Sequence, residues 1–206
     1  MKKTADLLIN TLENWVGVKS HKFIIDNYNK QRPLPRNYRV KYDDQWCATG
    51  LSSAIILCEM EDIIGTECSC GQFIEIFKRK DIWIEDGSIT PKRGDIILYN
   101  WDDGTQPNDG WAEHIGIVIK VYDNKIKVLE CNYRGSVGYR TIQVGWGYIR
   151  GYARPKYEKN LLSNEAVAKE VIYGLWGNGV ERRIALTEAG YDYQQVQSIV
   201  NRMLRG

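Results

Sequence analysis

The sequence predicts an α+β fold followed by a small helical bundle, and three observations lead to it. Apolar residues recur at helical spacing over the first 80 positions and alternate as in strands from residue 91 to about 154. They return to helical spacing after a polar break near residues 155–163. Helices first and strands afterwards imply an antiparallel sheet carrying helices on one side. A chain of 206 residues has room for one full domain and at most one small one.

Leu7, Leu8, Leu12 and Trp15 share a helical face, so a first helix is expected within residues 3–16. A polar loop punctuated by Pro33 and Pro35 follows. Trp46 to Met60 then presents Leu51, Ala54, Ile55 and Cys58 on one side, the pattern of a buried helix whose first turn holds Cys47. Ser69 and Gln72 are spaced as a capping box, starting a third helix that runs to the basic end Lys78-Arg79-Lys80. Strands are expected over Asp95 to Asn100, His114 to Tyr122 and Lys125 to Tyr133, with one or two more within Thr141 to Arg154. Beyond the break, Asn164 to Trp176, Val180 to Glu188 and Tyr193 to Leu204 read as three short helices, and Asp192 with Gln195 forms a second capping box. The expected division is a first domain at 1–157, a linker at 158–163 and a three-helix module at 164–206.

Composition excludes several classes. Hydrophobic residues at 43% and charged ones at 26% are those of an ordinary globular chain, which argues against disorder and against a coiled coil. The balance of 28 Lys and Arg against 26 Asp and Glu leaves no basic footprint, so no nucleic-acid partner is expected. No apolar run approaches the roughly 18–20 residues of a membrane span, and Ala5 to Ile9 is too short for a secretory signal, so neither a membrane partner nor classical export is expected. Seven Trp and thirteen Tyr against three Phe supply rings with polar handles, suited to gripping sugars or peptides or to half-buried packing. Five cysteines cannot all pair with one another, so at least one thiol is free. The spacing of Cys68 and Cys70 is wrong for a zinc knuckle.

A thiol nucleophile needs its pKa lowered and a base to hold its proton. Unsatisfied N–H groups at a helix start favour a thiolate at Cys47. Of the two histidines, His21 lies in a polar stretch, whereas His114 opens an apolar strand and is the expected base. Glu130 and Asn132 end the next strand and are candidates for orienting the imidazole. They share a face with His114 only if opposed residue numbers sum to an even value, as a three-residue loop Tyr122-Asp123-Asn124 would give. In that register Asn132 faces His114 and Glu130 faces Gly116. Asp43, Asp44 and Gln45 precede the nucleophile as candidates for the oxyanion site, with nothing in the sequence to choose between them.

Asp44-Gln45-Trp46-Cys47, Pro91 to Ile97, His114-Ile115-Gly116-Ile117-Val118 and Glu130-Cys131-Asn132 together resemble the CHAP domain, the cysteine- and histidine-dependent amidohydrolase/peptidase family, over roughly residues 35–157. The resemblance implies a papain-like fold and hydrolysis of a peptidoglycan amide. Cys47 would be nucleophile, His114 base, and Glu130 with Asn132 the orienting pair. The calcium-binding acidic loop of some members has no clear counterpart, so neither metal nor cofactor is expected.

Leu175 to Arg183, Leu186 to Asp192 and Val196-Gln197 resemble the type-seven cell-wall-binding repeat of phage lysozymes and lysins. The likeness implies binding of the muropeptide unit of peptidoglycan. By residue type the binding candidates are Trp176, Arg182, Tyr191 and Asp192, with a helix cap at Asp192 and a core ring at Trp176 as structural alternatives. Members often carry two or three repeats and this chain has one, so affinity per chain is low unless chains associate through it. A chain joining the two parts resembles the phage endolysins. Such a chain would be made in the host cytoplasm and reach the wall once the membrane is opened. The competing readings are a wall-binding protein without activity and a papain-like protease acting on proteins.

Overall fold

The computed structural model describes residues 2–18, 20–158 and 162–205, and the chain divides into two units, Met1–Glu158 and Lys159–Gly206. Residues 159–161 of the expected linker lie outside the described residues. The remainder of that stretch is held by its neighbours. Glu158 donates its N–H to the Lys3 carbonyl at 2.9 Å, and Ser163 caps the first helix of the second unit. Among the described residues no helix is long and apolar enough to cross a membrane.

In the first unit, Thr4 accepts the Leu7 N–H at 3.2 Å and starts helix α1 (Ala5–Glu13), which buries Leu8, Ile9 and Leu12. The polar loop contains a helix that the sequence reading passed over, α2 (Lys22–Tyr28), which buries Ile24, Ile25 and Tyr28 at helical spacing. Helix α3 (Cys47–Leu57) buries nearly its whole circumference, packing on α1, α2 and the sheet. Helix α4 (Cys70–Arg79) begins after Ser69 as expected, but the capping box does not form. The Ser69 side chain makes no cap bond, and Glu67 Oε1 instead accepts the N–H groups of Cys68 and Ser69 at 2.7 and 3.2 Å.

Six strands follow: β1 (Trp83–Ile84), β2 (Ile96–Tyr99), β3 (His114–Tyr122), β4 (Lys125–Tyr133), β5 (Ser136–Gln143) and β6 (Ile149–Ala153). They form one antiparallel sheet in the order β1-β6-β2-β3-β4-β5. Ile96, Leu98, Ile115, Ile117 and Leu129 face the helices. The alternate residues Ile97, Tyr99, Val118, Val128 and Tyr152 build a second cluster, against which Trp101 and Trp146 pack.

The β3–β4 register differs in origin from the expectation. The turn is the two-residue Asp123-Asn124, both left-handed (φ 47° and 58°), as a type I′ hairpin requires, so the pairs beside it sum to an odd value: Tyr122 with Lys125, Lys120 with Lys127. A bulge between Val118 and Lys120 inserts one residue, and from Val118 with Val128 onward the pairs sum to an even value. Glu130 therefore comes opposite Gly116. At Gly116 a methyl group would sit 2.6 Å from Val128 and 2.8 Å from the Glu130 side chain, so the missing side chain makes room for the carboxylate.

A second close approach sets the nucleophile's helix. A methyl group on Gly50, one turn after Cys47, would overlap the Cβ and Sγ atoms of Cys131 on β4. Glycine in a helix interior normally costs about 1 kcal/mol relative to alanine. Here the contact reverses the sign: Gly50→Ala should destabilise by about 1–3 kcal/mol through overpacking. Pairing it with Cys131→Ala should recover part of that loss in thermal melts. Additive losses would show that α3 does not rest on Cys131.

The second unit is the expected α5 (Asn164–Ile172), α6 (Gly179–Ala189) and α7 (Tyr193–Arg205), around Val167, Ala168, Val171, Leu186, Val196 and Val200. Helix α5 stops at Ile172 and does not reach Trp176, because Gly174 is left-handed (φ 79°) and turns the chain back.

Candidate active site

Cys47 is the first residue of α3. Trp46 before it has no capping side chain, so the first N–H groups of the helix are left for other acceptors, and the Ala48 N–H helps lower the Cys47 pKa. Cys47 is 5% exposed, and its Sγ lies 3.5 Å from Sγ of Cys70, the first residue of α4. Cys70 keeps its proton, its own pKa pushed up by the Cys47 sulfur and by burial, and donates toward Cys47. That donation is the largest influence holding Cys47 well below the ordinary thiol range. Burial opposes it, and the hydrogen bond and charge of His114 add to it.

His114 begins β3 where that strand pairs with Tyr99 of β2. Its Nε2 lies 2.9 Å from Oε2 of Glu130, which leaves Nδ1 as the ring nitrogen for Cys47. Burial alone would lower the imidazole pKa. Hydrogen bonds to Cys47 and Glu130, and their charges, outweigh it and raise the value to about 9. Glu130 is fully buried, which by itself would raise its pKa. The bonds from His114 and from Arg140, whose Nε donates to Oε1 at 2.7 Å, hold it below the carboxylate range instead. The result is a line of alternating charge from the Cys47 thiolate through imidazolium and carboxylate to guanidinium. Tyr99 and Trp101 flank it, with ring centres 5.8 and 5.9 Å from the imidazole.

Asn132 does not orient the imidazole. The β4–β5 ladder is irregular between Glu130 and Tyr133, and Asn132 adopts φ 57°, which takes its side chain off the strand alternation that the expectation relied on. Its Nδ2 donates at 2.7 Å to Oε1 of Gln45, two residues before the nucleophile. The alternatives to Gln45 are engaged or turned elsewhere. Asp44 accepts from Tyr38 and from the Lys41 N–H, both at 2.8 Å, and Asp43 lines a separate cavity with Asp26 and Arg39. His21 stacks on Trp46 at 4.9 Å, with Nε2 2.8 Å from the Tyr42 carbonyl.

Two participants, Cys70 and Arg140, carry no signal in the sequence patterns. Cys70 enters the sequence patterns only through its spacing to Cys68, although it opens a helix as Cys47 does. Arg140 lies one residue before the stretch Thr141 to Arg154 in which the last one or two strands are expected, because β5 starts at Ser136 and not near Thr141. With Gly138 opposite Glu130, alternation along β5 brings Arg140 to the face of Glu130. Among the described residues no group of three or more His, Cys, Asp and Glu is arranged to hold a metal ion.

In the second unit the four binding candidates are engaged within the bundle. Trp176 meets Tyr191 edge to face at 5.7 Å and donates to Glu170 at 2.9 Å. The Tyr191 hydroxyl accepts the Leu162 N–H at 2.9 Å, and Arg182 donates to the Gly177 carbonyl, Asn178 and Gln197. Asp192 caps α7 through Oδ1, which accepts the N–H groups of Gln194 and Gln195 at 2.8 and 3.1 Å. Gln195 does not close the box in return; its Oε1 accepts from Asn164.

Comparison with known proteins finds one family match within each unit. Residues 38–132 match the CHAP domain and residues 165–204 match the CW_7 repeat. A lysozyme of Streptococcus phage Cp-7 is 59% identical over 44 residues, 21% of this chain and 13% of that protein. The chain thus spans little more than a tenth of the length of the curated relative it matches.

Proposed function

Because the chain carries a CHAP domain followed by a CW_7 repeat, we propose that it is a peptidoglycan hydrolase of the endolysin type, cutting an amide of the wall with Cys47 as nucleophile. The observation that carries this reading is the line Cys47, His114, Glu130, Arg140, since a buried thiolate beside a raised imidazole is the equipment of acyl transfer. The Cys47 sulfur attacks the amide carbonyl and forms a C–S bond. The oxyanion is met by N–H groups at the start of α3 and by the Gln45 amide, whose Nε2 is free to donate while Asn132 holds its oxygen. His114 gives its Nδ1 proton to the leaving nitrogen as the C–N bond breaks. It then takes a proton from the water that cleaves the thioester, which restores the thiolate and imidazolium and releases a carboxylic acid that gives its proton to the freed amine or to solvent. Glu130 keeps the ring oriented throughout, and Arg140 keeps Glu130 charged.

Mass spectrometry of fragments released from purified walls tests the chemistry. Cleavage should create a new amine and a new carboxylate with the glycan strands intact. A new amine on alanine would mark the amidase, and one on a bridge residue the endopeptidase. New reducing sugar ends would overturn amide cleavage, and no release at all would leave a wall-binding protein. Cleavage of casein with walls untouched would point to an ordinary protease.

The second unit has its own core, so residues 1–158 and 159–206 are expected to separate in function. Chains ending at 158 should hydrolyse soluble muropeptides at near the full rate while losing about tenfold or more in lysis of whole cells, because the repeat raises effective concentration at the wall. Equal loss on both substrates would make the repeat part of the catalytic fold.

A further inference from the structure

Two adjoining cavities of about 380 and 390 Å³ lead away from His114 along β4 and β5, sharing Tyr133 and Arg140 and ending at Trp146. Neither is lined by any aspartate or glutamate. The first is lined by two arginines, Arg134 and Arg140. Their charges are committed differently. Arg140 turns its Nε inward onto Glu130 at 2.7 Å, and its guanidinium lies 4.9 Å from the Tyr133 ring centre and 5.2 Å from that of Trp101. Within the catalytic line, thiolate and carboxylate offset imidazolium and guanidinium. Arg134 is exposed, lies 5.3 Å from the Tyr133 ring centre, and has no carboxylate within ion-pair distance among the described residues. Glu113, the neighbour of His114, has its carboxylate on the Trp101 N–H at 2.8 Å. Arg134 is therefore the cation among the groove's lining residues that is not committed to a carboxylate, and it lies at the rim next to an aromatic face.

We propose that this groove is a carboxylate-binding subsite anchored by Arg134, so that the enzyme prefers wall peptides bearing a free carboxylate beside the scissile amide over the same peptides carrying a carboxamide there. The proposal rests on the amide-hydrolase reading above and adds which peptides are taken. A guanidinium forks onto a carboxylate through two N–H groups and gains charge assistance. A carboxamide offers one acceptor oxygen, no charge, and an NH₂ group that faces the cation unfavourably.

The test uses the full chain and two synthetic muropeptides of one sequence, one with the free carboxylate and one with the carboxamide. The wild-type protein should favour the carboxylate substrate about tenfold in kcat/KM, mainly through KM, the effect of one charge-assisted contact at a solvent-exposed rim. Arg134→Asn is the informative variant. Arg134 has φ 53°, a conformation asparagine adopts readily, so the turn survives while the charge is lost. It should bring the two substrates to within about twofold of each other by slowing the carboxylate substrate alone, and Arg134→Lys should recover part of the preference. Equal wild-type turnover of both substrates, or an equal loss on both in Arg134→Asn, would overturn the subsite and leave amide hydrolysis standing. Failure of the wild-type protein on both substrates and on whole walls would overturn the hydrolase reading and the subsite with it.

Discussion

Replacing Cys47 with alanine should abolish the clearing of a wall suspension and lower turnover of a soluble muropeptide by about 10⁵–10⁶, the scale seen when an enzyme loses its nucleophile and retains only binding and oxyanion stabilisation. Cys47→Ser should fail as well. A serine hydroxyl has the right shape, but the Cys70 donor and the His114 charge that suffice to ionise a thiol do not ionise an alcohol. Folding should survive both changes. The side chain is small and 5% exposed, and removing it also removes a charge buried against α4, so the thermal midpoint should move by no more than about 1 kcal/mol of stability implies. The same variant separates the two units of the chain. If CW_7 anchors the protein, Cys47→Ala should still sediment with purified walls while releasing nothing from them. Retention of more than about one hundredth of the activity would remove Cys47 from the nucleophile's role.

The elements nearest the site were the most legible in the sequence. His114 to Tyr122 and Lys125 to Tyr133 are strands with the expected bounds, because uninterrupted apolar alternation leaves few other choices. Cys47 at a helix start followed from the buried pattern behind it. The facing of Glu130 and His114 was also expected, but through a three-residue loop. The protein reaches the same parity with a two-residue turn and a bulge near Ile119, and no local pattern marks a bulge because the extra residue is itself apolar. Asn132 departs from its expected place for a related reason: strand alternation does not carry past Glu130, where the ladder with β5 breaks. Arg140 and Cys70 act through tertiary neighbours, the first across β5 and the second from α4, so their roles depend on register and packing that spacing along the chain does not encode. In the second unit, the capping of α7 by Asp192 is a local contact, and local spacing found it.

The pH profile tests the charge line as a whole, and Glu130→Gln tests its centre. Activity of the wild-type protein should rise as pH climbs through the lowered Cys47 ionisation, well under the free-thiol value of about 8.5, and fall as pH climbs through the His114 ionisation at about 9. Glu130→Gln keeps the volume but removes the negative charge between His114 and Arg140. The imidazole pKa should then drop, moving the alkaline limb to lower pH, and kcat should fall by about 10²–10⁴, as when a triad carboxylate becomes an amide. Stability follows with a definite sign. Glu130 has a depressed pKa, so its contribution is present above the unfolded value of about 4.3 and is lost as pH falls through the folded one. His114 has a raised pKa, so its contribution is full below about 6.5 and is lost as pH rises through about 9. Thermal melts of the wild-type protein should therefore weaken at both ends of the range. Glu130→Gln should be less stable near neutrality by about 3–5 kcal/mol, because Arg140 and His114 lose the charge they share. Arg140→Gln provides the complementary case: Glu130 loses one of the two partners that hold its pKa down, so the acid-side loss of stability should be smaller and be complete at higher pH. An alkaline limb that stays near 9 in Glu130→Gln would mean that the imidazolium is held by Cys47 alone, and that the buried carboxylate positions the ring without setting its charge.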